Sequence, residues 1–233
     1  MKLVICEKPS VGAAVAAALG VTGKKDGYIE NDKYIISWCI GHLVQLSEAA
    51  AYGEQYRKWS YDSLPILPQE WQYTVAADKG KQFKILKDLM HRADVSEVVN
   101  ACDAGREGEL IFRFVYHQAG CKKPFTRLWI SSMETDAIKS GFDNLKDGRR
   151  YDALYHSALC RAKADWLIGI NATRHFLLPV WKNLERGTCA DPNPKNACRP
   201  GRCHYELQES KKYYHVRLML PRRRSGKRED LRR

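Results

Sequence analysis

Three acidic side chains follow two apolar segments and could together form a cation site. Glu7 comes directly after residues 3–6, and Asp103 follows the apolar segment 95–102. Glu107 lies four positions after Asp103, within the sequence Asp-Ala-Gly-Arg-Glu-Gly-Glu. Hard cations such as Mg²⁺ bind one or two carboxylates and keep water and phosphate as their other ligands. Asp103 and Glu107 could therefore reach one ion, while Glu7 completes the site or transfers a proton.

A purely structural role is the alternative for the same acids. Glu107 and Glu109 would lie in the first turn of a helix, where acidic side chains interact favourably with the helix dipole, and Asp103 would be its N-cap. Gly105 and Gly108 favour the functional interpretation, because they let backbone N–H groups approach a phosphate closely. The spacing alone leaves both interpretations open.

Strand and helix patterns alternate along the first 147 residues. Strands are predicted at 2–6, at 71–76, 95–102 and 127–130, and as a pair around Asn31-Asp32 within 28–46, a segment that also holds a Gly41-His42-Leu43 corner. Helices are predicted at 11–19 with Ser10 as N-cap, and at 80–92, 110–116 and 135–145. This alternation indicates an α/β domain with a largely parallel sheet. Glu7 and Asp103 would lie at the carboxyl ends of its strands, where such sheets place their sites.

Two further regions follow the predicted α/β domain of residues 1–147. A long amphipathic helix over 151–176 indicates a second, helical region at 148–182. Residues 183–233 have no apolar periodicity and form an irregular tail. Fourteen of the 39 Lys and Arg residues lie in this tail, against six of the 27 Asp and Glu residues. The net charge of +12 suggests a nucleic-acid partner, but most of it belongs to the tail.

The composition excludes membrane-spanning and secreted proteins. No apolar run approaches the ~20 residues that a membrane span needs, and the N-terminal apolar run is too short for a signal peptide. The eight cysteines are therefore expected to be reduced thiols in the cytoplasm.

The two acidic segments resemble the signature blocks of a Toprim domain. Leu-Val-Ile-Cys-Glu-Lys-Pro-Ser and Asn-Ala-Cys-Asp-Ala-Gly-Arg-Glu-Gly-Glu-Leu-Ile are similar to bacterial type IA DNA topoisomerases of the topoisomerase III kind. The Gly41-His42-Leu43 corner with residues 59–65, and the block 161–174, agree in order. The resemblance covers residues 1–178. It implies a Toprim-type, largely parallel sheet flanked by helices, followed by a partial helical domain.

The resemblance also implies a mechanism. Type IA enzymes cut one DNA strand through a 5′-phosphotyrosyl intermediate, pass another strand through the break and reseal it with Mg²⁺ as cofactor. Glu7 corresponds to the glutamate that assists proton transfer at the scissile phosphate, and it joins Asp103 and Glu107 as a metal ligand. Lys8 and Arg106 would contact the phosphate. Gly105 stands at the middle acid of the family's Asp-x-Asp-x-Glu pattern, so we expect fewer ligands around one ion.

The resemblance implies DNA contacts as well, to single-stranded or underwound DNA. Arg161, Asp165, Trp166 and Arg174 lie on the predicted long helix, and Arg174 is expected to meet a DNA phosphate. The structural alternative places Trp166 in the core and the charges in solvent, which we expect for Lys163. Tyr61 is the weaker candidate, since an aromatic beside a proline-bearing loop more often packs than stacks on bases.

The tail from Asn183 onward does not resemble the family. A one-base shift of reading frame across 184–194 can encode Leu-Ser-Val-Gly-Arg-Val-Gln-Thr-Pro-Thr, which resembles the family's next block. We therefore expect a frameshifted, truncated chain, which the DNA sequence would test. The spacing of Cys189, Cys198, Cys203 and His204 does not favour zinc.

The family's nucleophilic tyrosine lies in a gate domain, and neither Tyr213 nor Tyr214 has its sequence context. The chain is thus expected to carry the metal half of the active site without the nucleophile, and to cleave no DNA alone. A nonenzymatic Mg²⁺- and DNA-binding remnant is the alternative. A Toprim primase or nuclease is a third hypothesis. The block 161–174 argues against it, because this block resembles topoisomerases and not those families. A monomer associated with nucleoid or mobile-element DNA is expected.

Overall fold

The computed structural model describes the backbone of residues 1–185 and the side chains of residues 1–178. The predictions for the tail, including the frameshift, Cys189, Cys198, Cys203, His204, Tyr213 and Tyr214, lie outside the described residues. Met1–Arg186 forms one compact unit. No helix in the described part of the chain is long and apolar enough to cross a membrane.

A seven-stranded mixed sheet forms the centre of this unit. Its order is β2 (Gly23–Lys25), β3 (Tyr28–Glu30), β4 (Tyr34–Trp38), β1 (Lys2–Cys6), β7 (Glu97–Ala101), β8 (Phe125–Arg127) and β9 (Lys146–Asp147). The four central strands β4, β1, β7 and β8 run parallel, while β2, β3 and β9 add antiparallel pairs at the two edges. This confirms the predicted α/β class with a largely parallel sheet flanked by helices.

Alternation along β1 gives the sheet two apolar faces. Leu3 and Ile5 pack into one core cluster, and Val4 and Cys6 into the other. All four side chains are completely buried. A strand covered on both faces is typical of the centre of a parallel sheet, and it explains the continuous apolar run in the sequence.

The helices cover the two faces of the sheet. They are α1 (Pro9–Leu19), α2 (Gly80–His91), α3 (Arg106–Gln118), α4 (Thr135–Asp143) and α5 (Asp152–Glu185). Leu86 and Met90 of α2 and Phe112 of α3 join one cluster, whereas α1 and α4 supply Val15 and Ile138 to the other. The long helix α5 packs against α3.

Several predicted boundaries are wrong. Ser10 is not the N-cap of α1, because Pro9 begins the helix and Lys8 occupies the cap; the fixed φ of proline suits the first helical position. α3 starts at Arg106, four residues before the predicted 110–116, as in the alternative that placed Glu107 and Glu109 in a first turn, but its N-cap is Gly105 and not Asp103. α5 continues to Glu185, three residues into the segment predicted to be irregular.

The strand predictions differ in two places. The segment 28–46 holds three strands instead of two, since β5 (Val44–Leu46) leaves the main sheet and pairs with β6 (Tyr73–Val75). β8 ends at Arg127, where the prediction had a strand begin, because its register with β7 runs from Val98↔Phe125 to Asn100↔Arg127.

Candidate functional site

Glu7 and Asp103 leave the sheet at the same edge. β1 and β7 are parallel neighbours in the register Cys6↔Ala101, so the residues that follow them emerge side by side. The Nζ atom of Lys8 lies 3.4 Å from Oε1 of Glu7 and 3.5 Å from Oδ2 of Asp103. Glu7 and then Asp103 raise the pKa of Lys8 through their negative charges. One cation thus already bridges the two carboxylates.

This pair has the donor chemistry that a magnesium ion requires. Both side chains offer hard carboxylate oxygens, and Mg²⁺ is commonly held by one or two such groups. The Lys8 ammonium shows that positive charge is accommodated between them. Within residues 1–178, however, no three His, Cys, Asp or Glu side chains are grouped so that they could hold a metal. The three-ligand set of Glu7, Asp103 and Glu107 therefore stays a prediction.

Glu107 points toward a different partner. It lies in the first turn of α3, and its Oε1 atom is 2.9 Å from Nε2 of His42. His42 belongs to the Gly41-His42-Leu43 corner that the sequence picked out as a block, although not as a site residue. Both side chains are exposed. The pair links the loop after β4 to the N-terminus of α3.

A cavity of about 770 Å³ extends from this pair along α5. Glu107 and His42 line it together with four of the five residues predicted to contact DNA, namely Arg161, Asp165, Trp166 and Arg174. Tyr61 is not among its lining residues. Its hydroxyl instead donates to the carbonyl oxygen of His175 at 3.4 Å. The structure thus joins the acidic end of α3 to the predicted DNA residues, but not to Tyr61.

Arg174 is a buried cation in this cavity. Only 4% of it is exposed, and burial lowers the pKa of its guanidinium. Nη2 donates to the carbonyl oxygen of Tyr56 at 2.8 Å, and the group lies 5.4 Å from the centre of the Trp59 ring. Nε and Nη1 are buried and have no hydrogen-bond partner in the described structure. Buried donors without partners are costly, so Arg174 is held in this position at the expense of two unmade hydrogen bonds.

The other α5 residues are divided between packing and the cavity. Arg161 and Asp165 are exposed and face each other, with Nε 3.4 Å from Oδ2. Trp166 packs edge-on against Tyr52 and Trp71, at 5.4 Å between ring centres in each case. Its indole nitrogen donates to the carbonyl oxygen of Ser47 at 3.0 Å. This is the packing role considered for Trp166, in a side chain that still lines the cavity.

The solvent-facing position expected for Lys163 is wrong. Lys163 is half-buried, and its Nζ atom lies 5.2 Å from the centre of the Trp71 ring. A cation–π contact of this kind explains why the side chain lies against the aromatic cluster instead of extending into water.

Two buried charges beneath the acidic loop escaped the sequence analysis. Glu109 and Arg127 are both completely buried and lie 3.2 Å apart. Burial raises the pKa of Glu109, and burial lowers that of Arg127. An arginine next to the apolar residues Leu-Trp-Ile was the available signal, because such a charge is rarely buried without a partner.

Several known proteins are similar to this chain. A profile of the Toprim domain matches residues 2–133. DNA topoisomerase 3 of Bacillus licheniformis is 49% identical over 190 residues, which are 82% of this chain and 26% of that protein. DNA topoisomerase 3 of Staphylococcus haemolyticus is 43% identical over 214 residues, which are 91% of this chain and 30% of that protein.

A solved structure of full-length topoisomerase I from Thermotoga maritima is also similar. It is 19% identical, with a TM-score of 0.41, over 62% of this chain and 21% of that chain. The present chain spans less than a third of the length of both curated relatives named above. The profile match spans more than half of the chain and includes both acidic segments, and it shows that the chain belongs to the Toprim family.

Proposed function

We propose that this chain supplies the Toprim half of a type IA DNA topoisomerase of the topoisomerase III kind. One observation carries the proposal: a single cavity joins Glu107 at the acidic end of α3 to Arg161, Asp165 and Arg174 on α5. The two relatives named above, at 43% and 49% identity, are DNA topoisomerases 3, so DNA is the expected ligand. The reaction would be single-strand cleavage, strand passage and religation.

Glu7 and Asp103 are the first candidates to hold Mg²⁺, with Glu107 as a further ligand. When bound, the ion would offset the negative charge of the scissile phosphate. Lys8 contacts both carboxylates and would bind the same phosphate, and Arg106 is exposed at the first position of α3 for that role. Glu7, whose carboxylate contacts Lys8, would assist proton transfer at the 3′ oxygen.

Single-stranded or underwound DNA would lie along α5. Arg174 lines the cavity, and its positive charge would attract a phosphate, while the exposed Arg161–Asp165 pair would contact the strand at the cavity wall. Trp166 would contribute its partly exposed ring edge, and Tyr61 would be at most a peripheral contact. Binding should weaken as salt rises, because each phosphate contact releases counterions.

We infer that no tyrosine of this chain is the nucleophile. Neither Tyr213 nor Tyr214 has the family's sequence context, so the chain would bind DNA without cutting it. Its organisation would be a Toprim domain at 1–147, the start of a helical gate-supporting domain at 148–182, and an out-of-frame basic tail at 183–233. A cytoplasmic monomer on nucleoid or mobile-element DNA is part of the same proposal.

Fluorescence anisotropy with a labelled single-stranded oligonucleotide tests the proposal. The full chain should bind the single strand more tightly than a matched duplex and form no covalent adduct. Equal binding to both, or relaxation of supercoiled plasmid by the purified chain, would contradict it.

The nonenzymatic remnant is distinguished by the gene. Resequencing through codons 182–212 and downstream should restore a frame that continues into a gate domain with its tyrosine. A frame that closes after codon 233 with no such segment would leave only metal and DNA binding.

A further inference from the structure

Arg127, at the end of β8, is a completely buried cation directed at the loop that carries Asp103. Its Nη2 atom donates to the carbonyl oxygen of Asp103 at 2.6 Å. Its Nη1 atom donates to the carbonyl oxygen of Cys102 at 2.7 Å and to that of Leu128 at 2.9 Å. One rigid, planar group thus holds two consecutive carbonyl groups, those of Cys102 and Asp103.

A buried acid provides the opposite charge without competing for these donors. Nε of Arg127 is 3.2 Å from Oε2 of Glu109, but it is not aligned for a hydrogen bond. Glu109 instead accepts from Asn100 Nδ2 and from Arg113 Nε, both at 2.9 Å. The charge of Glu109 therefore stabilises the Arg127 guanidinium, while the two terminal nitrogens remain bonded to the loop.

The same loop is fixed from two more directions. The side-chain oxygen of Asn100 accepts the N–H of Cys102 at 3.1 Å. On the far side, a Cβ on Gly108 would lie only 2.2 Å from the Asp103 carbonyl oxygen, so α3 lies directly against the loop. The loop backbone has little freedom, and Arg127 makes its shortest hydrogen bond.

One aromatic ring lies over the guanidinium, and a second ring stacks on the first. The ring centre of Trp129 is 5.1 Å from the Arg127 guanidinium carbon, and Trp129 stacks on Tyr151 at 5.0 Å with an interplanar angle of 17°. Exclusion of water strengthens the hydrogen bonds beneath these rings. Nothing in this arrangement places Arg127 in the cavity or beside Lys8, so its influence passes through the backbone.

We propose that Arg127 is a positioning residue, which orients the Asp103 carboxylate for cation binding by holding the carbonyl groups of Cys102 and Asp103. The inference rests on the proposed metal role of Asp103. Arg113 supplies the matched control, because it also pairs with Glu109 but bonds to Gly148 and Asp152 and not to the Asp103 loop.

The first measurement is Mn²⁺ binding by the full chain, followed by electron paramagnetic resonance of the free ion. Arg127→Lys keeps the charge but cannot span the three carbonyl groups, and it should weaken Mn²⁺ binding at least tenfold. Arg113→Lys should change it less than threefold. Equal weakening by both variants, or none by Arg127→Lys, would overturn the positioning role.

The second measurement does not need the metal. Hydrogen exchange followed by mass spectrometry should show at least tenfold faster exchange in peptides covering 102–105 for Arg127→Lys, but not for Arg113→Lys. If wild type and Asp103→Asn bind Mn²⁺ equally, the proposed metal site fails, and hydrogen exchange alone decides the positioning role. Unchanged exchange in Arg127→Lys would overturn it.

A variant that removes both buried charges keeps the test possible if the single variant does not fold. If Arg127→Lys does not fold, the double variant Arg127→Met, Glu109→Gln replaces the buried pair by neutral side chains of similar size, a change that folds tolerate better than loss of one partner. It should fold and still show the faster exchange at 102–105. Wild-type exchange in a folded double variant would contradict the proposal.

Discussion

The carbonyl oxygen of Asp103 occupies the space in which a side chain on Gly108 would begin. A Cβ built on Gly108 lies 2.2 Å from this oxygen and 2.9 Å from the Asp103 nitrogen. Both atoms belong to backbone that Arg127 holds from the other side. The first turn of α3 and the acidic loop can therefore approach this closely only because residue 108 has no side chain.

Gly108→Ala should destabilise the chain by about 1–3 kcal/mol, the usual cost of forcing an extra carbon into packed backbone. Gly105→Ala is the matched control. Its Cβ would meet nothing within 4 Å and its φ of −177° is extended, so we expect a loss below about 1 kcal/mol from the weaker N-cap. Urea unfolding measures both. Equal losses would show that the contact with Asp103 yields easily.

Arg174→Met should reduce affinity for single-stranded DNA about tenfold or more, since a charge-assisted hydrogen bond contributes about 1.5–3 kcal/mol. Its free energy of unfolding should not fall, because the substitution removes a buried charge with two unpaired donors. Anisotropy titration and urea unfolding give the two values.

Lys163→Met is the control for Arg174→Met on the same helix. It removes one positive charge that contacts Trp71 and does not line the cavity. We expect a loss of DNA affinity of about threefold or less, as for a charge that acts only at a distance. A loss equal to that of Arg174→Met would mean that net charge alone, and not the position of Arg174 in the cavity, governs binding.

Cys160 should react with iodoacetamide far faster than Cys6 or Cys102 in the native protein at pH 8. Cys160 is exposed, whereas the other two are buried. Burial raises the pKa of Cys6, and a hydrogen bond with Cys39 together with burial raises the pKa of Cys102. Little of either side chain is therefore thiolate. Peptide mapping should show at least a hundredfold difference, which disappears in guanidinium chloride. Similar native rates would show that the strand ends open readily.

The loss of stability between pH 7 and pH 2.5 should depend in part on Asp94. Two hydrogen bonds from Arg92, at 2.7 and 3.0 Å, lower the pKa of Asp94. The contribution is present above the unfolded pKa of about 3.9 and is lost as pH falls through the lower folded value. The advantage of wild type over Asp94→Asn in urea midpoint should therefore be larger at pH 7 than at pH 2.5.

Asp26→Asn controls that comparison for removal of one negative charge from an exposed ion pair with Lys81. An Asp94→Asn difference that is the same at both pH values would contradict the role of the Arg92 bonds.

The centre of the sheet was predictable because its signals are strong. Residues 2–6 and 95–102 are rich in apolar side chains and form strands that are mostly buried, so each acid was expected at the carboxyl end of a strand, and the parallel pairing of β1 with β7 brings Glu7 and Asp103 to one edge. The edge strand β2 was missed, since Gly23–Lys25 is polar and fully exposed and has no apolar pattern.

The network beneath the site could not be predicted from spacing. Glu109 lies in the first turn of α3, where the helix dipole alone can account for an acid, and Arg127 is 18 positions away on strand β8. Only the pairing of β7 with β8 brings them together. The His42–Glu107 pair depends in the same way on how the loop after β4 meets α3.

The central place of β1 has a consequence for synthesis of the chain. Its neighbours are β4 and β7, so β1 has at least one unpaired edge until residue 101 has been made, 95 residues after Cys6. At ~5–20 residues per second, that interval is about 5–20 seconds. An apolar strand with an open edge is a template for aggregation, so nascent chains that stop before β7 should depend on chaperones.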